Sequence, residues 1–176
     1  MIQSGRIYLR ALERNDLPSL QKWRNIKFFR DNFREYRELS YENQAQWYDF
    51  IQKKESNTLM FGVCDSTNNE LIGAAGLCYI NWVYSNADLS FYIGKDELYA
   101  DDIFGRATVE AILEYGFKSL NLRRIWCELY ETDLVKARLL GSIGFKKEGV
   151  LRDNSFKNGK FIDGHIWAIL ASEYKI

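Results

Sequence analysis

The spacing of apolar residues along the chain predicts short strands alternating with amphipathic helices. Ile125, Cys127 and Leu129 alternate with bulkier or polar neighbours, which is the two-residue period of a strand. Six apolar positions instead recur at i, i+3, i+4, i+7, i+8 and i+11, on one side of a helix: Val109, Ile112, Leu113, Gly116, Phe117 and Leu120. The pattern therefore predicts a helix that packs against a sheet.

Boundary residues divide the first half into a strand, two helices and three further strands. Residues 7–10 have the composition of a strand, and Asp16 is placed to cap a first helix. An irregular stretch over 26–38 reads as a loop with room for one helical turn, and Ser40 is placed to cap a second helix over 41–54. Three strands with Ser, Thr and Asn turns between them then predict an antiparallel meander: 59–65, 71–79 and 87–93.

The second half ends in a short helix and a hairpin. Asp133 is placed to cap the helix, which Gly144 can end. Asn158-Gly159 lies between the strand-like segments 150–156 and 161–170, and this dipeptide favours a two-residue hairpin turn. The predicted order is βααβββαβαββ, in a single domain over residues 1–176.

Composition narrows the class of protein. Hydrophobic residues make up 47% of the 176 residues and charged residues 27%, so the chain can fold around its own core. The 24 basic and 24 acidic residues cancel, which gives no support to nucleic acid or a membrane as a partner. Three scattered cysteines, and no apolar run long enough to span a bilayer, favour reduced thiols and a cytoplasmic location. One histidine leaves little basis for a metal site.

Several short motifs resemble the GCN5-related N-acetyltransferase (GNAT) superfamily. The C-terminal half carries Asn121-Leu122-Arg123-Arg124-Ile125, Gly144-Phe145-Lys146-Lys147-Glu148-Gly149 and Asn158-Gly159-Lys160, and the N-terminal half carries Trp23-Arg24-Asn25. They resemble the branch of bacterial ribosomal-protein N-terminal acetyltransferases and relatives that acetylate spermidine or nucleotide-linked amino sugars. The resemblance implies an α/β fold with a mixed, mainly antiparallel sheet, opened between the strand ending near Ile93 and the strand containing Trp126.

The resemblance also implies acetyl-CoA as co-substrate, without a metal. By this resemblance, the backbone of Phe91, Tyr92 and Ile93 would hold the pantetheine arm. Asp133 would lie near that arm, although an N-cap is the simpler interpretation. Lys136 is either a solvated lysine or a partner for a phosphate of coenzyme A.

The loop that binds the diphosphate in this superfamily is atypical here. The places of its Gln/Arg-x-x-Gly-x-Gly/Ala pattern are held by Ala100, Ile103 and Gly105. The resemblance implies that the diphosphate faces the backbone of Ile103, Phe104, Gly105 and Arg106, at a helix N-terminus that favours anions. Asp101 and Asp102 would repel a diphosphate, so either an aspartate caps the helix and turns away or the loop is rearranged.

Two sets of side chains are candidates for the chemistry. Asp88 matches an acidic strand position of the family and is the predicted general base, with a solvated strand-end residue as the alternative. The family's usual tyrosine acid is replaced by Leu140. Six residues are assigned to the amine substrate, with packing, surface charge or an interior histidine as the alternative: Trp23, Arg24, Asn25, Arg34, Tyr36 and His165.

The sequence thus supports an acetyl-CoA-dependent N-acetyltransferase that acts on a primary amine. A nucleotide-linked amino sugar is the first acceptor considered, and a peptide N-terminus or a polyamine is the alternative. A second class of function is a binding protein of the same fold that has lost efficient use of coenzyme A. The oligomeric state is open, with a homodimer as one possibility.

Overall fold

A computed structural model describes residues 2–174 as one mixed sheet combined with five α-helices. The strands are β1 (Ile2–Ser4), β2 (Ile7–Ala11), β3 (Leu59–Asp65), β4 (Leu71–Asn81), β5 (Asn86–Ile93), β6 (Arg124–Tyr130), β7 (Lys146–Lys157) and β8 (Lys160–Leu170). The helices are α1 (Leu17–Arg24), α2 (Lys27–Asp31), α3 (Tyr41–Ile51), α4 (Phe104–Glu114) and α5 (Leu134–Ile143). A π-helical turn, Tyr115–Ser119, extends α4.

The eight strands form one sheet in the order β1-β2-β3-β4-β5-β6-β8-β7. Every neighbouring pair is antiparallel except β5 and β6. The predicted mixed, mainly antiparallel sheet is therefore confirmed. The observed order, ββαααβββαβαββ, adds β1 and α2 to the prediction, because three and five residues are too few to show a period.

The parallel pair β5 and β6 separates part-way along its length. Asn86–Asp88 pair with Arg124–Trp126, and no further pairing joins the two strands. The remaining five residues of β5 and four of β6 thus form the two arms of a fork. This opening lies where the sequence placed it, and it positions the site described below.

Local capping follows the sequence at most helix ends. Ser40 accepts a hydrogen bond from the backbone N–H of Asn43 at the start of α3, and Gly144 ends α5 with a φ of 116°. Asp16 holds the predicted N-cap position of α1, but its side chain makes no capping hydrogen bond to that helix. Its carboxylate instead accepts two hydrogen bonds from the Arg10 guanidinium, at 2.7 and 2.8 Å, and one from the backbone N–H of Glu13. Two hydrogen bonds from a positively charged guanidinium are stronger than one from a neutral backbone N–H, so Asp16 joins β2 to α1.

Gly76 lies in the middle of β4, where the neighbouring strand approaches closely. A Cβ at this position would lie 2.0 Å from the carbonyl oxygen of Leu59. We expect Gly76→Ala to lower the free energy of unfolding by about 3 kcal/mol, because the backbone of a central strand must shift to remove the overlap. Gly149→Ala is the control, since a Cβ there meets no atom within 4 Å. Urea denaturation measures both, and equal stabilities of the two variants would contradict this account of β4.

No helix between residues 2 and 174 has the length and apolar character required to cross a bilayer. Within the same residues, no group of three or more His, Cys, Asp or Glu side chains is arranged to hold a metal ion.

Candidate active site

A cavity of about 700 Å³ opens at the fork between β5 and β6. Its walls come from the segment 32–37 after α2, from α3, from the strands β4, β5 and β6, and from α5. Aromatic and apolar side chains line much of it, and seven charged residues supply its polarity: Arg24, Arg34, Glu35, Arg37, Asp88, Glu128 and Lys136.

Asp88 stands at the point where the fork opens. It is the last residue of β5 that pairs with β6, and its carboxylate is only 4% exposed. Oδ2 accepts a hydrogen bond from the Arg34 guanidinium at 2.7 Å, whereas the buried Oδ1 has no hydrogen-bond partner among the described residues. A buried carboxylate oxygen with free lone pairs can accept a proton or a hydrogen bond from a ligand in the cavity.

Burial and Arg34 act on Asp88 in opposite directions. Burial raises the pKa of the Asp88 carboxyl, and the hydrogen bond and charge of Arg34 offset part of that rise. The net result is a carboxyl whose pKa lies above its ordinary value. Arg34 itself lies between the rings of Tyr79 and Trp126, at 5.7 and 5.9 Å from their centroids. These rings hold the guanidinium at the mouth of the fork.

The other charges of the cavity are unevenly paired. Glu35 accepts two hydrogen bonds from the Arg37 side chain, which lower its pKa to about 2. Arg24 lies over the Trp47 ring, 5.8 Å from its centroid, and forms no salt bridge among residues 2–174. Glu128 accepts a hydrogen bond from the Asn154 amide at 2.5 Å and likewise has no cationic partner within the described chain. Arg24, Lys136 and Glu128 are thus the cavity charges without a salt-bridge partner among residues 2–174, which makes two cations and one carboxylate.

Lys136 reaches from α5 into the fork and is buried there. Its Nζ lies 4.6 Å from the centroid of the Tyr99 ring, 4.7 Å from that of Phe91 and 5.4 Å from that of Phe33. Burial lowers the pKa of this ammonium, and the charge of Asp133 offsets part of the effect. The interpretation of Lys136 as a solvated lysine is wrong, because three aromatic rings enclose its amine.

The end of β5, which was predicted to hold the pantetheine arm of acetyl-CoA, is instead bonded to another segment of the same chain. Ile93, at the end of β5, exchanges two backbone hydrogen bonds with Tyr99, at 2.8 and 2.9 Å. The Tyr99 side chain is buried in the fork, and its hydroxyl donates to Asp133 Oδ2 at 2.6 Å. Asp133 also accepts from the backbone N–H of Lys136, which confirms its predicted role as the N-cap of α5.

The N-terminus of α4 is likewise bound by a side chain of the protein. The Asp101 carboxylate accepts hydrogen bonds from the backbone N–H groups of Ile103, Phe104 and Gly105, at 3.0, 3.0 and 2.9 Å. The Arg106 guanidinium donates to Ser142 Oγ at 2.8 Å. The amides assigned to a diphosphate are thus present at a helix N-terminus, as such a ligand requires, but an internal carboxylate holds them in this conformation.

The structure divides the residues predicted to contact the amine substrate. Arg24, Arg34 and Tyr36 line the cavity that contains Asp88. The Asn25 amide bonds the backbone of Leu39 at both of its ends, which makes it a tether for the loop before α3. Two further predicted contacts, Trp23 and His165, are half-buried and do not line the cavity.

Comparison with known proteins gives the family. The model of the acetyltransferase (GNAT) domain matches residues 9–167. The chain belongs to the GNAT acetyltransferase family. The probable N-acetyltransferase YjcK of Bacillus subtilis is 30% identical over 183 residues, covering 97% of both chains. The spermidine N(1)-acetyltransferase of Vibrio cholerae is 29% identical over 176 residues, which are 97% of this chain and 96% of that one.

A solved structure agrees with this assignment. The crystal structure of spermidine N-acetyltransferase from Vibrio cholerae, in complex with CoA and spermine, superposes with a TM-score of 0.85 at 27% identity. The match covers 96% of this chain and 98% of that one. The GNAT fold and family are therefore confirmed, and this GNAT protein is an N-acetyltransferase with acetyl-CoA as its co-substrate. The individual site residues stay predictions.

Sequence reasoning missed four residues of the site: Glu128, Tyr99, Glu35 and Arg37. The available signal for Glu128 was its position between Cys127 and Leu129, where the alternation of β6 places a charged side chain on the face opposite to theirs. Tyr99 gave no signal, because it lies in a loop and reaches the fork only through a left-handed backbone, with a φ of 60°. The sequence does not show that Arg37 donates hydrogen bonds to Glu35, because this pairing depends on the positions of both side chains in the structure.

Proposed function

We propose that this GNAT enzyme acetylates a primary amine that also carries an anionic group, such as an amino sugar linked to a nucleotide. The supporting observation is the pairing of charges in the cavity. Arg24 has no carboxylate partner among the described residues and, unlike the buried Lys136, is partly exposed, so it can bind a phosphate or carboxylate of the acceptor. Glu128 and the free Oδ1 of Asp88 can bind its ammonium group.

In this proposal Asp88 is the general base. Its Oδ1 takes a proton from the acceptor ammonium, directly or through one water, and leaves a neutral amine as the nucleophile. The amine nitrogen forms the new bond to the acetyl carbon, the carbon–sulfur bond breaks, and the second proton that the nitrogen loses passes to water. A thiol has a pKa near 8.5, so the sulfur can leave as a thiolate without an acid at the place of Leu140.

A polyamine is the second candidate acceptor, because the similar Vibrio cholerae enzyme is named a spermidine acetyltransferase. A polyamine carries several positive charges and needs carboxylates free to receive them. Of the three carboxylates in this cavity, Asp88 and Glu35 each already bind an arginine, and Glu128 alone has no cationic partner among the described residues. The charge distribution therefore favours an acceptor that has both signs of charge.

Arg24→Gln tests the proposed acceptor. We expect the KM for a nucleotide-linked amino sugar to rise about tenfold, the loss of one charge-assisted hydrogen bond, while kcat and the KM for acetyl-CoA change little. Lys22→Gln is the matched control, since it removes an exposed cation from the same helix outside the cavity. Steady-state kinetics with the amino sugar and with spermidine give the answer. If the KM for acetyl-CoA rose and the KM for the acceptor did not, Arg24 would contact acetyl-CoA, and its proposed role in binding the acceptor would be wrong.

A further inference from the structure

The segment of residues 98–101 lies at the open end of the fork, beside Ile93 at the tip of the β5 arm. Its backbone pairs with Ile93 through Tyr99, as a short added strand would. The buried Tyr99 side chain binds Asp133 across the fork, and the Asp101 carboxylate holds three amides of α4. One short segment thus engages three separate parts of the cleft: the end of β5, the start of α5 and the start of α4.

Two of these contacts, at β5 and at α4, imitate a type of contact that an acyl-CoA makes. The backbone of Tyr99 forms hydrogen bonds with Ile93 at the unpaired edge of β5, as the amide groups of a pantetheine arm can. A carboxylate satisfies the helix N-terminus, as a diphosphate can. We propose that residues 98–101 form a displaceable plug that occupies the acetyl-CoA cleft and must leave before the co-substrate binds.

The backbone of the plug and of the residues just before it is strained. Asp96, Glu97 and Tyr99 have φ values of 49°, 54° and 60°, in the left-handed region that non-glycine residues seldom adopt. The contacts of Tyr99 and Asp101 hold this conformation in place. When a ligand replaces those contacts the strain is released, so the plug can leave without melting the surrounding sheet.

The plug also explains the atypical loop. A glycine-rich loop would leave the α4 amides open to a ligand, whereas Asp101 satisfies them from within the chain. Ile103 exposes 59% of its surface at the same helix end, outside the closed cleft. The inference rests on the use of acetyl-CoA by this family and is independent of the proposed acceptor.

Weakening the plug should improve binding of acetyl-CoA. The observed dissociation constant equals the intrinsic constant divided by the open fraction, so variants that favour the open state bind more tightly. We expect Asp101→Asn and Tyr99→Phe each to lower the dissociation constant by about tenfold, since each weakens hydrogen bonds to a carboxylate in the closed state. Isothermal titration with acetyl-CoA, without an acceptor, measures the effect.

Asp102→Asn is the matched control. Asp102 is exposed and lies 3.7 and 3.8 Å from Arg106 and Arg138, with no bond to the α4 amides. Asp102→Asn removes the same charge beside the helix and leaves the contacts of the plug intact. The dissociation constant of this variant for acetyl-CoA should therefore stay within about twofold of the wild type. An equal gain in Asp101→Asn and Asp102→Asn would indicate simple charge repulsion and overturn the proposal, as would no gain in either plug variant.

Hydrogen–deuterium exchange tests the wild-type chain directly. The amide of Tyr99 is protected in the closed state by the carbonyl oxygen of Ile93 at 2.8 Å. Saturation with acetyl-CoA should speed exchange over residues 98–101 while it slows exchange over the arms of the fork. Slower exchange of residues 98–101 on binding would show that the segment stays in place, and the plug would be disproved.

Discussion

Replacing Asp88 with asparagine is expected to lower kcat by about 10² to 10⁴, the usual contribution of a general base. The substitution keeps the shape of the side chain and its place at the fork, but an amide cannot take the proton from the acceptor ammonium. The deficit should shrink as the pH rises, because a larger share of the amine then arrives already neutral. Affinity for acetyl-CoA should stay nearly constant, since the carboxylate is assigned to the acceptor.

The control for this variant is Asp65→Asn. Asp65 is also a buried strand aspartate, 1% exposed and 3.5 Å from Arg6, but it lies outside the cavity. Loss of a buried acid at this position should leave kcat close to that of the wild type. If Asp88→Asn kept most of its activity at pH 7, Asp88 would be a structural residue, and water or the substrate itself would deprotonate the amine.

Removing Arg34 is expected to shift the acid limb of the kcat/KM profile to higher pH by about one unit. Burial already raises the pKa of Asp88, and Arg34 is the cation that offsets it. Without the guanidinium this pKa rises further. The base works only when it is deprotonated, so at a pH below the limb the rate of Arg34→Gln should fall about tenfold, and the difference should close as the pH rises.

Arg10→Gln is the matched control for Arg34→Gln. Arg10 also pairs with a buried aspartate, Asp16 at 2.7 Å, but neither residue lines the cavity. Its acid limb should coincide with that of the wild type. An unchanged limb in Arg34→Gln, or a limb moved to lower pH, would mean that Asp88 is not the group that titrates in the profile.

The sequence predicted most of the fold because the long elements carry a clear period. The stripe of α4, the alternation of β6 and the Asn158-Gly159 turn each correspond to an observed element, and the turn has φ values of 50° and 81°. Short elements such as α2 lack that signal. The bonding of the Asp16 side chain was not predicted, because its choice between a cap bond and the Arg10 pair depends on how β2 meets α1 in space.

The sequence predicted several functional residues of the site but not which of them contact one another. Asp88 and Arg34 were both chosen as functional residues, yet 54 positions separate them, and no local pattern shows that they meet. The unusual residues around Asp101 did signal a changed loop. Which atoms fill the fork depends on the left-handed backbone at Tyr99, and a non-glycine residue gives no sequence mark of that conformation.

The acceptor preference of the wild-type enzyme tests the central claim most directly. Release of coenzyme A, followed at a saturating concentration of acetyl-CoA, gives kcat/KM for a nucleotide-linked amino sugar and for spermidine under the same conditions. Because Arg24 is unpaired and two of the three cavity carboxylates, those of Asp88 and Glu35, already bind an arginine, we expect the amino sugar to be preferred by at least about tenfold, the value of one charge-assisted bond. A preference for spermidine of the same size would contradict the proposed acceptor.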